Sequence, residues 1–321
     1  MTENTPHFSF DDLVAHSPKM RTLVETAKKF AQLDAPLLIQ GETGTGKDLI
    51  AKACHQWSAR RNARFIAVNC AGLPSEDAES EMFGQAKGDK TTQGFFEYAD
   101  GGTVLLDGIA ELSLPLQAKL LRFLTDGSFR RVGEEQEHYA NVRVICTSQV
   151  PLAQYVEQGK VRSDLFHRLN VLTLDVPPLR ERQADMADLV SLFISKISEN
   201  LRISPPHFNT DFLDFLKNYP WEGNVRELYN ALYRACSLAE NNQLSTVHLN
   251  LQLKPSQTEF GTIINLAQFG ELTLDEIMAN YEKQVLSLFY AEYPSTRKLA
   301  ARLGVSHTAV ANKLKQYGIG K

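Results

Sequence analysis

The sequence predicts an α/β domain built on a parallel sheet, then a small helical lid, then a separate all-α domain at the C-terminus. Three observations predict this. An apolar segment, Pro36–Gln40, runs into Gly41-Glu42-Thr43-Gly44-Thr45-Gly46-Lys47-Asp48 and on into a helix-forming stretch, Leu49–His55. Further apolar segments alternate with helical patterns and stop after Pro177-Pro178. Residues 295–321 hold six basic side chains and no Asp or Glu.

Taken in order, residues 1–7 are polar, and 1–9 read as a frayed terminus. Asp11–Leu33 predicts one helix, because Met20, Leu23, Val24, Ala27 and Phe30 recur at helical spacing. Gly41–Asp48 has the form G-x-x-x-x-G-K. Strand, glycine loop and helix together form a phosphate-binding site: backbone N–H groups curl around a polyphosphate, the helix N-terminus adds a positive dipole end, and Lys47 supplies a cation. The position after Lys47 ordinarily carries a hydroxyl for Mg²⁺; here it is Asp48, whose carboxylate can reach the metal shell.

Phe65–Asn69 predicts a second strand, Ser75–Phe83 an acidic helix and Gly84–Gly94 a polar loop. Thr103–Asp107 is four apolar-strand residues ending in an acid, which brings a carboxylate to the strand's C-terminal edge, within reach of Mg²⁺. Leu114–Leu124 reads as a helix, and Val142–Cys146 and Val171–Asp175 as two more strands. Strands alternating with helices imply a parallel sheet with crossovers. Asp185–Asn200, Asp211–Tyr219 and Val225–Glu240 are helical in pattern. The domain plan is thus an α/β subdomain over 10–176, a lid over 177–253, a linker over 254–272 and a C-terminal domain over 273–321.

Composition narrows the function. A net charge of −4 excludes a global electrostatic pull on nucleic acid, so any basic surface is local. Four cysteines without C-x-x-C spacing, in apolar segments, fit buried reduced thiols in a cytoplasmic protein. There is no signal peptide and no apolar run long enough to span a bilayer, so no membrane partner is expected.

The basic surface sits at the end. Asp275–Glu292 predicts a helix with Ile277, Tyr281, Val285, Leu288 and Phe289 on one face, an apolar surface suited to dimerisation. In the segment that follows, Ser295 or Thr296 caps a short helix whose inner face is Leu299, Ala300 and Leu303. Gly304 allows a left-handed turn, Val305 is expected to plug the core, and Ser306 opens a second helix with Val310 and Leu314 inward. This is the helix-turn-helix pattern. Ser306, His307, Thr308 and Asn312 are the expected base readers; Arg297, Lys298 and Lys313, beside Thr296, are the expected phosphate contacts. A single such unit binds weakly, so a dimer on palindromic double-stranded DNA is expected.

The segments ESEMFG (79–84), FFEYADGGTVLLD (95–107), LQAKLLRFLTDGSFRRVG (116–133), VRSDLFHRLNV (161–171), PPLRERQADM (177–186) and WEGNVREL (221–228) occur in this order after the glycine loop. From about residue 10 to about 253 the chain therefore resembles the AAA+ domain of bacterial enhancer-binding proteins, the sigma-54 activator class. The resemblance implies that ATP is bound with Mg²⁺. It gives Lys47 the β/γ-phosphates, Asp107 the metal, Arg226 a contact from the lid, and Arg162 and Arg168 the arginine fingers that reach a neighbouring subunit's nucleotide. Three departures stand out. The family's Asp-Glu at the end of the strand is Asp107-Gly108, which removes the water-activating carboxylate, although Glu111 is near in sequence. The sigma-54 contact motif G-A-F-T-G-A is absent from 84–94, and sensor I reads Ser148-Gln149 in place of Thr-Asn.

YPSTRKLAARLGVSHTAVANKLKQYGI (293–319) resembles the end of the aromatic amino-acid-responsive transcription regulators, which lack that contact motif as well. That resemblance implies a repressor at promoters read by the main sigma factor of RNA polymerase, with tyrosine and ATP as co-effectors that promote higher assembly. Longer relatives carry N-terminal sensory domains used in activation, so this chain is expected to repress rather than activate through them. An ATP-hydrolysing activator of the sigma-54 type is the alternative, and a nucleotide-dependent scaffold a third reading; at most weak ATPase activity is expected.

Overall fold

The computed structural model describes residues 8–74, 76–88, 90–239, 242–249 and 251, and beyond these 273, 278–279, 282–283, 285–287, 289–290 and 293–319. Its contacts divide the chain into two units, Met1–Leu251 and Gln252–Lys321.

The first unit begins with a 3-10 turn at Phe10–Asp12 and helix α1 at Pro18–Ala31. The single helix expected over 11–33 is therefore broken. Ser17 caps α1 by accepting from the Met20 N–H, Pro18 takes the first turn, and the N–H groups of His16 and Ser17 are bound by the Asp185 carboxylate. Then come β1 (Leu37–Gln40), α2 (Lys47–Gln56), β2 (Phe65–Asn69) and α3 (Ala78–Phe83). The predicted loop over 84–94 is instead a hairpin, β3 (Gln85–Lys87) against β4 (Lys90–Thr92), with Asp89 outside the described residues. A short run with no apolar alternation gave no strand signal; the pairing is held partly by Val132, whose backbone exchanges hydrogen bonds with Gly84 and Ala86. There follow α4 (Phe95–Tyr98), β5 (Thr103–Asp107), α5 (Leu114–Asp126), the two-residue strands β6 (Ser128–Phe129) and β7 (His138–Tyr139), β8 (Arg143–Ser148), α6 (Leu152–Glu157), α7 (Ser163–Leu169) and β9 (Leu172–Asp175).

Five of these strands form one sheet in the order β2-β5-β8-β1-β9, every pair parallel. Alternate side chains leave the sheet on opposite faces. Leu37, Ile39, Leu105 and Ile145 pack against Leu23, Ala27 and Ile50 of α1 and α2. Leu38, Val104, Leu106, Val144 and Cys146 pack against Phe96, Leu120, Phe123 and Leu165 on the other face. Each Leu, Ile, Val or Phe buried in this way contributes about 1.5–3 kcal/mol. Both faces are covered, so the C-terminal edge of the sheet is where a ligand can enter.

The lid comprises α8 (Met186–Leu201), α9 (Thr210–Asn218) and α10 (Asn224–Ser237), packed around Leu189, Ile194, Phe212, Trp221, Leu228 and Leu232. Helix α10 stops at Ser237, short of the predicted Glu240, which lies outside the described residues. All four cysteines are buried and unpaired.

In the second unit, helices Thr296–Leu303 and His307–Tyr317 meet around Leu286, Leu299, Ala300, Val310 and Leu314. Gly304 takes the left-handed turn at φ 64°, and Ser306 caps the second helix by accepting from the Ala309 N–H. Val305 does not plug this core. It is 49% exposed, because the turn spends it on a backbone bond to the Ala300 carbonyl and leaves the interior to Leu299 and Val310. Of the helix expected over 275–292, the described residues 278–279, 282–283, 285–287 and 289–290 are helical. Ile277, Tyr281 and Leu288 of its apolar face lie outside the described residues, as does the 254–272 linker. Phe289 packs on the helix-turn-helix core, and Val285 is exposed. No helix among the described residues is long and apolar enough to cross a membrane. The chain is thus an α/β protein with a parallel sheet and helical lid, followed by a helix-turn-helix unit.

Candidate nucleotide cleft and DNA-binding surface

At the C-terminal edge of the sheet a cleft of about 220 Å³ is lined by Lys47 and its neighbours Thr43, Gly44, Gly46 and Asp48, by Asp107, Gly108 and Glu111 after β5, and by Thr147 and Gln149 after β8. Arg226, from the lid, closes one side. The Lys47 ammonium donates to the carbonyls of Gly41 (2.6 Å) and Glu42 (3.0 Å). Burial pulls its pKa below the usual lysine value, opposed by the charges of Asp107 and Asp48.

Asp107 is held by a residue that sequence reasoning missed. The Thr147 hydroxyl donates to the Asp107 carboxylate at 2.5 Å and accepts from the Gly108 N–H at 2.9 Å. One hydroxyl therefore fixes both the carboxylate and the turn after it. Three carboxylates, Asp48, Asp107 and Glu111, line the cleft, and Asp48 and Asp107 are the two whose charges act on Lys47. Among the described residues no three His, Cys, Asp or Glu side chains gather closely enough to cage a metal unaided. Two carboxylates fit Mg²⁺, which completes its shell with phosphate oxygens and water.

Glu42 and Thr45 do not line the cleft. The Glu42 carboxylate takes both arms of the Arg180 guanidinium (2.6 and 2.8 Å) and the Asn224 side-chain amide (3.1 Å). The Arg180 hydrogen bonds hold its carboxyl below the usual carboxylate range. Thr45 is buried; its hydroxyl donates to the Glu42 carbonyl, and its own carbonyl accepts from the buried Arg182. Asn224 is fully buried. It donates to Glu42 and the Thr43 carbonyl, and its Oδ1 accepts from the Leu179 N–H at 2.8 Å. The approach of lid to loop is so close that a Cβ on Gly44 would stand 2.2 Å from the Gly223 carbonyl oxygen. Arg180, Asn224 and Arg182 lie within PPLRERQADM and WEGNVREL; their signal was present, but a motif does not state which side chain meets which.

Arg162 and Arg168 lie outside the cleft of their own chain. Arg162 forms a two-armed pair with Asp164 (2.8 and 3.0 Å), and the Arg168 guanidinium donates to the Leu124 carbonyl at the end of α5 (2.7 and 3.0 Å).

On the helix-turn-helix unit, Arg297, Lys298, Thr308 and Asn312 are exposed. His307 Nε2 and the Thr296 hydroxyl are 2.9 Å apart and link the two helices. Ser306 spends its hydroxyl on the cap. Lys313, expected to meet phosphate, is half-buried and ion-paired to Glu282, which also accepts from the Tyr317 hydroxyl at 2.7 Å.

Three known families match successive stretches of the chain. The Sigma-54 interaction domain matches residues 13–175, the AAA+ ATPase lid domain 180–262 and a helix-turn-helix domain 271–320. The HTH-type transcriptional regulatory protein TyrR of Haemophilus influenzae is 68% identical, over 98% of both chains. TyrR of Salmonella typhimurium is 48% identical over 98% of this chain but only 60% of its own length. The response regulator PilR of Pseudomonas aeruginosa is 37% identical over 96% of this chain. Among solved structures, NtrX from Brucella abortus, in complexes with ADP and with ATP, superposes with a TM-score of 0.71 at 31% identity, covering 96% of this chain and 69% of that one.

Proposed function

The chain belongs to the TyrR family of HTH-type transcriptional regulators, and from that premise we propose that it is a repressor that holds ATP as a condition for assembly rather than as fuel. The observation that carries this reading is the cleft: Lys47, Asp107 and Arg226 converge there, while the position after Asp107 is Gly108. Lys47 binds the β/γ-phosphates, and Asp107, with Asp48, holds Mg²⁺, which when bound offsets phosphate charge. Arg226 contacts the nucleotide from the lid. Arg162 and Arg168 exchange their in-chain partners for the nucleotide of a neighbouring copy, which makes ATP a link between subunits. Tyrosine is the co-effector and acts with ATP to drive assembly beyond the dimer. Paired helix-turn-helix units on palindromic DNA then block promoters read by the main sigma factor of RNA polymerase, in the cytoplasm.

The motor reading draws on the Sigma-54 interaction domain match. Against it stand Gly108 and a short β3–β4 hairpin without the contact motif. The test is sedimentation of the full chain with ATP, tyrosine, both or neither, alongside mobility shift of a palindromic duplex. Larger assemblies and tighter DNA binding are expected only with both ligands. An unchanged sedimentation profile, or ATP turnover matching an active AAA+ motor, overturns the proposal.

A further inference from the structure

Gly108, the residue after β5, lies in the left-handed region at φ 79°. The 3-10 turn Ile109–Glu111 follows at once, and the Glu111 N–H returns to the Gly108 carbonyl at 2.9 Å. This return folds Glu111 back over Gly108. A Cβ built on Gly108 would meet, beyond its chain neighbours, only one atom within 4 Å: Cγ of Glu111, at 3.5 Å. Within that radius, chain neighbours aside, a side chain at 108 would first meet the stem of Glu111.

The Glu111 side chain is exposed and lines the same cleft as Lys47, Asp107 and Arg226. Its carboxylate has no hydrogen-bond or ion-pair partner among the described residues. Asp107, by contrast, is tied to Thr147, and Asp48 adjoins Lys47 in the first turn of α2. The charges of Glu111 and Asp107 also reach one common neighbour, the Cys70 thiol. Burial pushes the Cys70 thiol up to about 12, and the negative charges of Asp107 and Glu111 push in the same direction.

We propose that Glu111 supplies, from one turn further along, the carboxylate missing at 108, and acts as the general base for slow hydrolysis of ATP in this cleft. The proposal rests on the nucleotide reading above. Glu111 accepts a proton from a water molecule as the water oxygen bonds to the γ-phosphorus. The bond from that phosphorus to the β,γ-bridging oxygen breaks, and its electron pair leaves with ADP. The proton then passes to solvent, which restores the carboxylate. Glu111 is reached through a 3-10 turn rather than fixed on the strand end, so its base is less well placed and turnover is slow.

The test compares the full-length wild type with Glu111→Gln in three measurements with Mg²⁺ present: phosphate release, titration with a fluorescent ATP analogue, and sedimentation after dilution from free ATP. Wild type is expected to release phosphate slowly but measurably. Glu111→Gln is expected to lose about a hundredfold in kcat with KM and analogue affinity unchanged. Its ATP-dependent assemblies should outlast those of the wild type. Equal turnover in the two proteins, or none above background in the wild type, overturns the proposal. Failure of the wild type to bind the analogue is a different result, and overturns the nucleotide reading itself. Should Glu111→Gln not fold, Glu111→Asp serves in its place: the same charge on a shorter stem must lower kcat and leave affinity intact.

Discussion

In and behind the nucleotide cleft, most of the polar side chains hold one another: Thr147 fixes Asp107 in the cleft, and Arg180 with Asn224 fixes Glu42 behind it. On the helix-turn-helix unit, Arg297, Lys298, Thr308 and Asn312 are exposed and have no hydrogen-bond or ion-pair partner among the described residues. The difference follows from the ligands. A polyphosphate and its cation demand groups set in advance at fixed positions, which costs hydrogen bonds inside the protein. A DNA groove is read by side chains that must exchange water for base edges and phosphates, so they stand free until contact. The cleft should therefore break through stability, and the reading surface through affinity alone.

The largest effect is expected at Asn224. Asn224→Ala leaves the buried Leu179 N–H without its acceptor and removes the amide that joins Glu42 to the Thr43 carbonyl. The cost is about 3 kcal/mol of folding stability. Nucleotide affinity should fall with it, because the lid that carries Arg226 loses its seat on the loop. Denaturant unfolding and nucleotide titration read both quantities. An unchanged midpoint would mean that the lid is seated by Arg180 and Arg182 without Asn224.

Asn312→Ala is the counterpart on the reading surface. Loss of about 2 kcal/mol, roughly thirtyfold in affinity for a palindromic duplex, is expected with no change in melting temperature. A drop in melting temperature would show that Asn312 is a strut like Asn224, and the contrast between the regions would fail.

The two regions also differ in how far the sequence discloses them. The helix-turn-helix is contiguous: Leu299, Ala300, Val310 and Leu314 line up by period alone, and Gly304 marks the turn. The five sheet strands are legible for the same reason, as buried apolar runs between helices. The cleft is different. Lys47 and Asp107 belong to recognisable motifs, but Thr147 meets Asp107 across 40 positions and Asn224 meets Glu42 across 182. Such contacts depend on strand order and lid placement, which no local spacing encodes. Val305 errs the other way: an apolar residue after a turn looks like core, yet the turn geometry turns it to solvent.

Lys313 is the exception on the reading surface, and it gives the smallest and sharpest test. Its ammonium is paired with Glu282, whose carboxyl is held below the usual range chiefly by that hydrogen bond and then by the Tyr317 hydroxyl. A half-exposed pair of this kind is worth less than about 1 kcal/mol, so Glu282→Gln should scarcely alter stability. It should release Lys313 to a DNA phosphate, raising affinity a few-fold at low salt and steepening the slope of log K against log salt by about one counterion. Removing any negative charge near DNA would also raise affinity, so the control is Glu282→Gln made on Lys313→Ala. If Glu282 restrains Lys313, the gain disappears on that background. If the gain persists, Glu282 acts as a bare charge, and Lys313 belongs with the interlocked side chains of the cleft rather than with the free ones that read DNA.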